Sequence, residues 1–117
     1  MELKKLEEAI AESWEIDTCY PPWQDRWSEE NPALGQCAVT SLVVQDYLGG
    51  ELVYCMHNHH YWNRLPSGKE IDFTRQQFPE GTQVCADSLR GREELLSGEI
   101  VERYEILRMR VKGKVGF

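Results

Sequence analysis

Cys37 follows Gly35 and Gln36 where a proline-bearing loop gives way to the apolar run Cys37-Ala38-Val39-Thr40, so it falls on the first turn of a predicted helix. Backbone amides at a helix N-terminus carry partial positive charge, which favours thiolate over thiol. A nucleophilic cysteine belongs in such a place. His60 comes later, at the start of a predicted strand. Neutral imidazole can take a thiol proton and return it to a leaving group. Asp72 lies in the next predicted strand, where a carboxylate can fix the imidazole tautomer. The chemistry this order points to is hydrolysis or acyl transfer at an amide, ester or thioester.

Each residue has a plainer reading on its own. A cysteine in an apolar helix is usually a small core residue, the reading given to Cys19, Cys55 and Cys85. A strand-end histidine commonly serves the surface or a hydrogen bond, and a hairpin aspartate is commonly solvated. It is their order, on one helix start and two adjacent strands, that carries the functional reading.

The hairpin at Pro66-Ser67-Gly68 decides whether the histidine and the aspartate can meet. A two-residue Ser67-Gly68 turn pairs Asn63 with Asp72 and sends Asp72 to the opposite sheet face from His60. With a three-residue loop Trp62 pairs with Asp72, and His60 becomes its diagonal neighbour on the same face. The sequence leaves both registers open. A second cluster competes: Cys55, His57 and His59 alternate, so a continuous strand would put one thiolate and two imidazoles on one face, a donor set suited to zinc or copper. A third reading is a non-enzymatic module that binds a peptide or partner, with Cys37 merely buried.

These residues need elements to hold them. Leu3, Leu6, Ile10 and Trp14 recur at helical spacing, predicting an amphipathic helix over residues 2–14. Thr18 to Pro32 reads as a loop that wraps a site or covers the core. From Asn31 to Gln45 no residue is charged, in a chain where 28% are, and Gly49-Gly50 closes the run. This predicts a central helix from about Gln36 to Leu48, apolar around most of its circumference. Strands are expected at Leu52–Met56, His60–Leu65 and Lys69–Thr74, and a short one at Gln83–Ala86. Ser88–Leu96 reads as a weak helix. Ile100, Tyr104, Leu107 and Val111 mark one face of a last helix, with Glu and Arg opposite. The class expected is α+β: a central helix with cysteine at its N-terminus, packed on a small antiparallel sheet and flanked by N- and C-terminal helices.

Composition narrows the function. A chain of 117 residues is the size of one domain, 1–117, and its 41% hydrophobic content supports a core without staples. Thirteen Lys and Arg against twenty Asp and Glu give a net charge of −7, which disfavours nucleic acid and anionic membranes as partners. The first residues lack an apolar signal core and no stretch is long and apolar enough for a membrane span, so a cytoplasmic location is expected. The cysteines are too scattered for a disulfide scaffold or a paired zinc site, and reduced thiols are the expectation. No cofactor is implied.

The run Asn31-Pro32-Ala33-Leu34-Gly35-Gln36-Cys37-Ala38-Val39-Thr40, continued by Val43 to Gly50, His60-Tyr61-Trp62-Asn63-Arg64-Leu65 and Ile71-Asp72-Phe73-Thr74, resembles the YunG-like family of small bacterial proteins. The likeness extends from about Thr18 into the last helix. The Cys, His, Asp order also looks like a minimal papain or transglutaminase core, and Gly35-Gln36-Cys37 is similar to the Gly-Gln-Cys of transglutaminases. That resemblance implies attack by Cys37, proton shuttling by His60, orientation of His60 by Asp72, and an oxyanion held by the Cys37 N–H with a second donor. Gln36, Gln24 and Asn31, six residues before the cysteine as in papain-type enzymes, are the side chains considered for that donor. Trp23, Trp27, Tyr61 and Trp62 are candidates to line a groove for a peptide or small acyl substrate.

Overall fold

The computed structural model describes residues 2–116; Met1 and Phe117, the ends of the expected 1–117 domain, lie outside the described residues. Helix α1 spans Leu3–Ala11, α2 Cys37–Leu48, α3 Arg92–Leu95 and α4 Ile100–Val115, while strands β1 to β4 span Glu51–Cys55, His60–Arg64, Glu70–Ile71 and Ser88–Arg90. The fold class is α+β.

Helix α2 is central because its sequence leaves it no solvent face. Val39, Thr40, Ser41, Leu42, Val43 and Val44 are all buried, so every side of its middle turns is covered. It packs on β2 and β1 on one side and on α4 on another, while α1 lies against α4. Leu6, Ala9 and Ile10 of α1, Leu52 of β1, Ile71 of β3 and Ile100, Tyr104, Leu107 and Val111 of α4 join its apolar residues in one core. Trp14 is expected on the first helix; α1 ends earlier, and the indole reaches back to donate to Thr40 Oγ1 at 2.9 Å.

The sheet order is β3-β2-β1-β4, antiparallel throughout. Alternation along β1 and β2 sorts the side chains. Leu52 and Asn63, paired across the strands, face α2, where Asn63 Nδ2 donates to Ser41 O at 3.0 Å. Val53, Cys55 and Trp62 face the other way and form a second cluster with Val84.

The C-terminal half departs from expectation in four places. The strand expected at Lys69–Thr74 pairs only over Glu70–Ile71, because Asp72 turns the chain: its Oδ1 accepts from Thr74 N at 3.2 Å, and a 3-10 turn over Arg75–Gln77 follows. No strand forms at Gln83–Ala86; the strand lies at Ser88–Arg90 instead, pairing with the open edge of β1. The helix expected there shrinks to Arg92–Leu95. Arg103, assigned to the exposed face of the last helix, is 6% exposed, paired with Glu99 and donating to Thr18 O at 3.0 Å. Its guanidinium anchors the loop before α2.

Candidate functional site

Gly35 determines how the chain enters α2. Its φ of +72° suits a residue without Cβ, and a Cβ there would lie 2.5 Å from Cys19 Sγ and 2.9 Å from Tyr20 N. Gly35 O accepts from Tyr20 N at 2.9 Å and Gly35 N donates to Gln77 Oε1 at 3.3 Å. The glycine thus joins the Tyr20 loop and the Arg75–Gln77 turn to the start of α2, and Cys37 begins the helix. Gln36 supplies no side-chain cap, so the first-turn amides of Cys37, Ala38 and Val39 are left without helical partners, as an anion-stabilising position requires.

The Pro66-Ser67-Gly68 hairpin takes the three-residue form. Leu65 N donates to Lys69 O and Gly68 N to Leu65 O, each at 2.8 Å, and Asn63 pairs with Ile71. Extending that register by one position sets Trp62 opposite Asp72 and brings Asp72 beside His60. His60 Nε2 lies 2.6 Å from Asp72 Oδ2. The imidazole is wholly buried, stacked on Trp62 at 5.5 Å and met edge-on by Phe78 at 4.9 Å. Thr74 N and Oγ1 hold the second carboxylate oxygen of Asp72.

His60 begins β2 and Cys37 begins α2. Its Sγ–H is directed at His59 O, 3.9 Å away, while His60 Nδ1 is buried with no aligned partner. The thiol is nevertheless close enough to act on the ring electrostatically. Burial opposes protonation of His60, but the hydrogen bond to Asp72 and the influence of the nearby Cys37 thiol, with the Coulomb attraction of both, outweigh it and push the imidazole up to about 9. Histidine and aspartate are in direct contact, and the Cys37 thiol reaches the ring through its electrostatic influence.

Beside them opens a cleft of about 540 Å³, whose walls include Cys37, Tyr20, Trp23, Tyr54, His59 and Tyr61. His60 and Asp72 are not among its lining residues. Trp23 and Tyr61, proposed from sequence as groove residues, are in the wall; Trp27 and Trp62 are not. Trp27 Nε1 donates to Pro32 O at 3.0 Å, and Trp62 Nε1 to Glu70 Oε1 at 2.8 Å. The three amide side chains considered for the oxyanion have other bonds: Gln36 Nε2 to Glu15 O, Gln24 Nε2 to Cys19 O and Asn31 Nδ2 to Gln77 O. Gln36 is also wholly buried.

Sequence reading did not connect Tyr54 or His59 with Cys37. The signal for Tyr54 was its alternation with Leu52, which puts it on the α2 face. His59 gave none, since its position depends on a turn.

That turn also separates the residues considered for a metal. β1 stops at Cys55, so the alternation does not continue through His57 and His59, and among the described residues no group of three or more His, Cys, Asp or Glu could hold a metal ion. Cys55 Sγ is directed at Asn58 Oδ1, and His59 Nδ1 lies 3.0 Å from Tyr54 OH.

All four cysteines are free. Cys19 is buried, and desolvation pushes its thiol up to about 11 despite Arg103 and Arg26, so it is chemically quiet. Cys85 is exposed, which corrects its assignment to the core: the strand expected around it does not form.

These features define an α+β domain with a histidine–aspartate pair at its β2–β3 hairpin and a cleft walled in part by the N-terminal cysteine of its central helix. The chain belongs to the YunG family: the family model described as YunG protein matches residues 2–116. It is similar to "Uncharacterized protein YunG" of Bacillus subtilis (strain 168), with 38% identity over 87 residues, covering 71% of this chain and 72% of the relative. No solved structure matches it. Among the described residues no helix is long and apolar enough to cross a membrane.

Proposed function

We propose that this domain is a cysteine-dependent hydrolase or acyltransferase acting on an amide, ester or thioester, with Cys37 as nucleophile, His60 as its proton partner and Asp72 as the residue that orients His60. The observation that carries the reading is the 2.6 Å contact between His60 Nε2 and Asp72 Oδ2, on an imidazole that is wholly buried and feels the Cys37 thiol electrostatically. A solvated strand histidine and a solvated hairpin aspartate would have no reason to be desolvated together.

In the proposed reaction the thiol proton of Cys37 already resides on His60, held protonated at neutral pH, and Cys37 Sγ attacks the carbonyl carbon. The oxyanion is met by the free amides at the start of α2, and the proton then leaves with the departing amine, alcohol or thiol. Asp72 keeps the ring in one tautomer and balances its charge. Water or a second nucleophile arriving through the cleft releases the acyl group. We extend the fold description in the same terms, as a minimal papain-like core in which helix and sheet are present without substrate-binding lobes. The cleft next to Cys37 suits a small acyl group or an externally presented chain.

The test is turnover of a panel of activated amides, esters and thioesters by the wild-type protein, Cys37→Ser and His60→Ala, with intact mass read at early times. An acyl adduct on Cys37 and loss of turnover in both variants is the expected result. Equal background rates for all three proteins, without an adduct, would instead leave the domain as a peptide- or partner-binding module.

A further inference from the structure

The site contains two imidazoles at its two faces, and only one of them can meet water. His60 is wholly buried, enclosed by Trp62 and Phe78, bonded at Nε2 to Asp72 and absent from the cleft wall. His59 is exposed, lines the cleft with Cys37, and is fixed at one ring nitrogen: Nδ1 lies 3.0 Å from Tyr54 OH. Its Nε2 has no partner among the described residues.

The backbone supports the same assignment. His59 is the sole non-glycine residue with positive φ among the described residues, at +51°, at the end of the Met56–His59 turn. Left-handed backbone is uncommon outside glycine and collects at functional positions. It directs the His59 carbonyl at Cys37 Sγ, 3.9 Å away, while the ring stays in the cleft.

Resting on the proposed acyl chemistry, we infer that the two histidines divide the reaction: His60 serves the thiol, and His59, with its tautomer set by Tyr54, is the base that activates water for release of the acyl group from Cys37. In the tautomer this role requires, Nδ1–H donates to the Tyr54 oxygen and the Nε2 lone pair is open to the cleft. Water gives its proton to Nε2 as its oxygen bonds to the thioester carbonyl carbon. The carbon–sulfur bond then breaks, the electron pair returns to Cys37 Sγ, the carboxylic acid leaves, and His59 passes its proton to solvent. Atoms and charge balance without any co-reactant but water.

The experiment forms acetyl-Cys37 with p-nitrophenyl acetate, removes excess reagent and follows decay of the adduct by intact mass at pH 7.5. The proteins compared are wild type, His59→Asn and Tyr54→Phe. Asparagine tolerates the left-handed backbone but offers no base. His59→Asn is expected to acquire the acetyl group yet lose it about a hundredfold more slowly, with recovery on adding free imidazole. Tyr54→Phe should slow decay less and mix the Nδ1–H and Nε2–H tautomers of His59 in ¹⁵N NMR spectra. Wild-type decay rates in His59→Asn would overturn the inference while leaving Cys37 as nucleophile. No adduct on wild-type Cys37, with Cys85 labelled as an ordinary thiol, would overturn the acyl chemistry and this inference with it.

Discussion

Asp72 Oδ2 and His60 Nε2 stand 2.6 Å apart across the β2–β3 hairpin, with the imidazole wholly buried and the carboxylate 17% exposed at its side chain. The pair survives burial because each partner satisfies the other, and Thr74 takes the remaining oxygen. Asp72→Asn keeps the shape and removes the charge. The His60 titration midpoint, followed by NMR of the ring protons, should fall by about 1 to 3 on the pH scale, and stability should drop by about 1.5–3 kcal/mol. An unchanged midpoint would mean that Asp72 does not hold the histidine charged.

The same contact makes stability depend on pH. His60 is held up to about 9 in the fold, against 6.5 ordinarily, so the folded chain binds this proton more tightly than the unfolded one. The contribution is complete below pH 6.5 and is lost as pH rises through about 9; the full difference is about 3 kcal/mol. Urea midpoints of wild type and His60→Gln, measured from pH 6 to 9.5, should converge as pH rises. A gap that stays constant or widens would contradict this assignment.

Gly35 links the cysteine to its surroundings through space rather than chemistry. Gly35→Ala puts a Cβ against Cys19 Sγ and Tyr20 N in left-handed backbone, a loss of about 2–4 kcal/mol. Gly68 also has positive φ, +93°, but nothing lies within 4 Å of its Cβ position. Gly68→Ala should therefore show the backbone penalty alone, roughly 1 kcal/mol. Denaturant melts of the two variants separate the effects, and equal losses would show that packing at Gly35 is unimportant.

The parts legible in the sequence are those in which local pattern and tertiary need agree. The uncharged stretch from Asn31 to Gln45 and the Gly49-Gly50 stop describe α2 almost to the residue, because a helix buried on every side must exclude charge. Ser88–Arg90 was unreadable for the opposite reason. Three residues carry no period, and they become a strand because β1 has an open edge to pair. The hairpin register lay between two alternatives since Ser67-Gly68 permits both, and the bond from Leu65 N to Lys69 O selects one. Arg103 was out of reach: its Glu99 partner is local, but Thr18 is brought to it only by the fold. His59 likewise depends on a turn whose residues, Met56 to His59, looked like strand or loop with equal ease.

The most direct measurement of the central claim is the alkylation rate of Cys37 by iodoacetamide at pH 7, read by peptide mass spectrometry with exposed Cys85 as the reference thiol in the same molecule. Cys37 is expected to react at least tenfold faster than Cys85, and the advantage to disappear in His60→Ala. A Cys37 no faster than Cys85, with a rate that His60→Ala leaves unchanged, would contradict that claim.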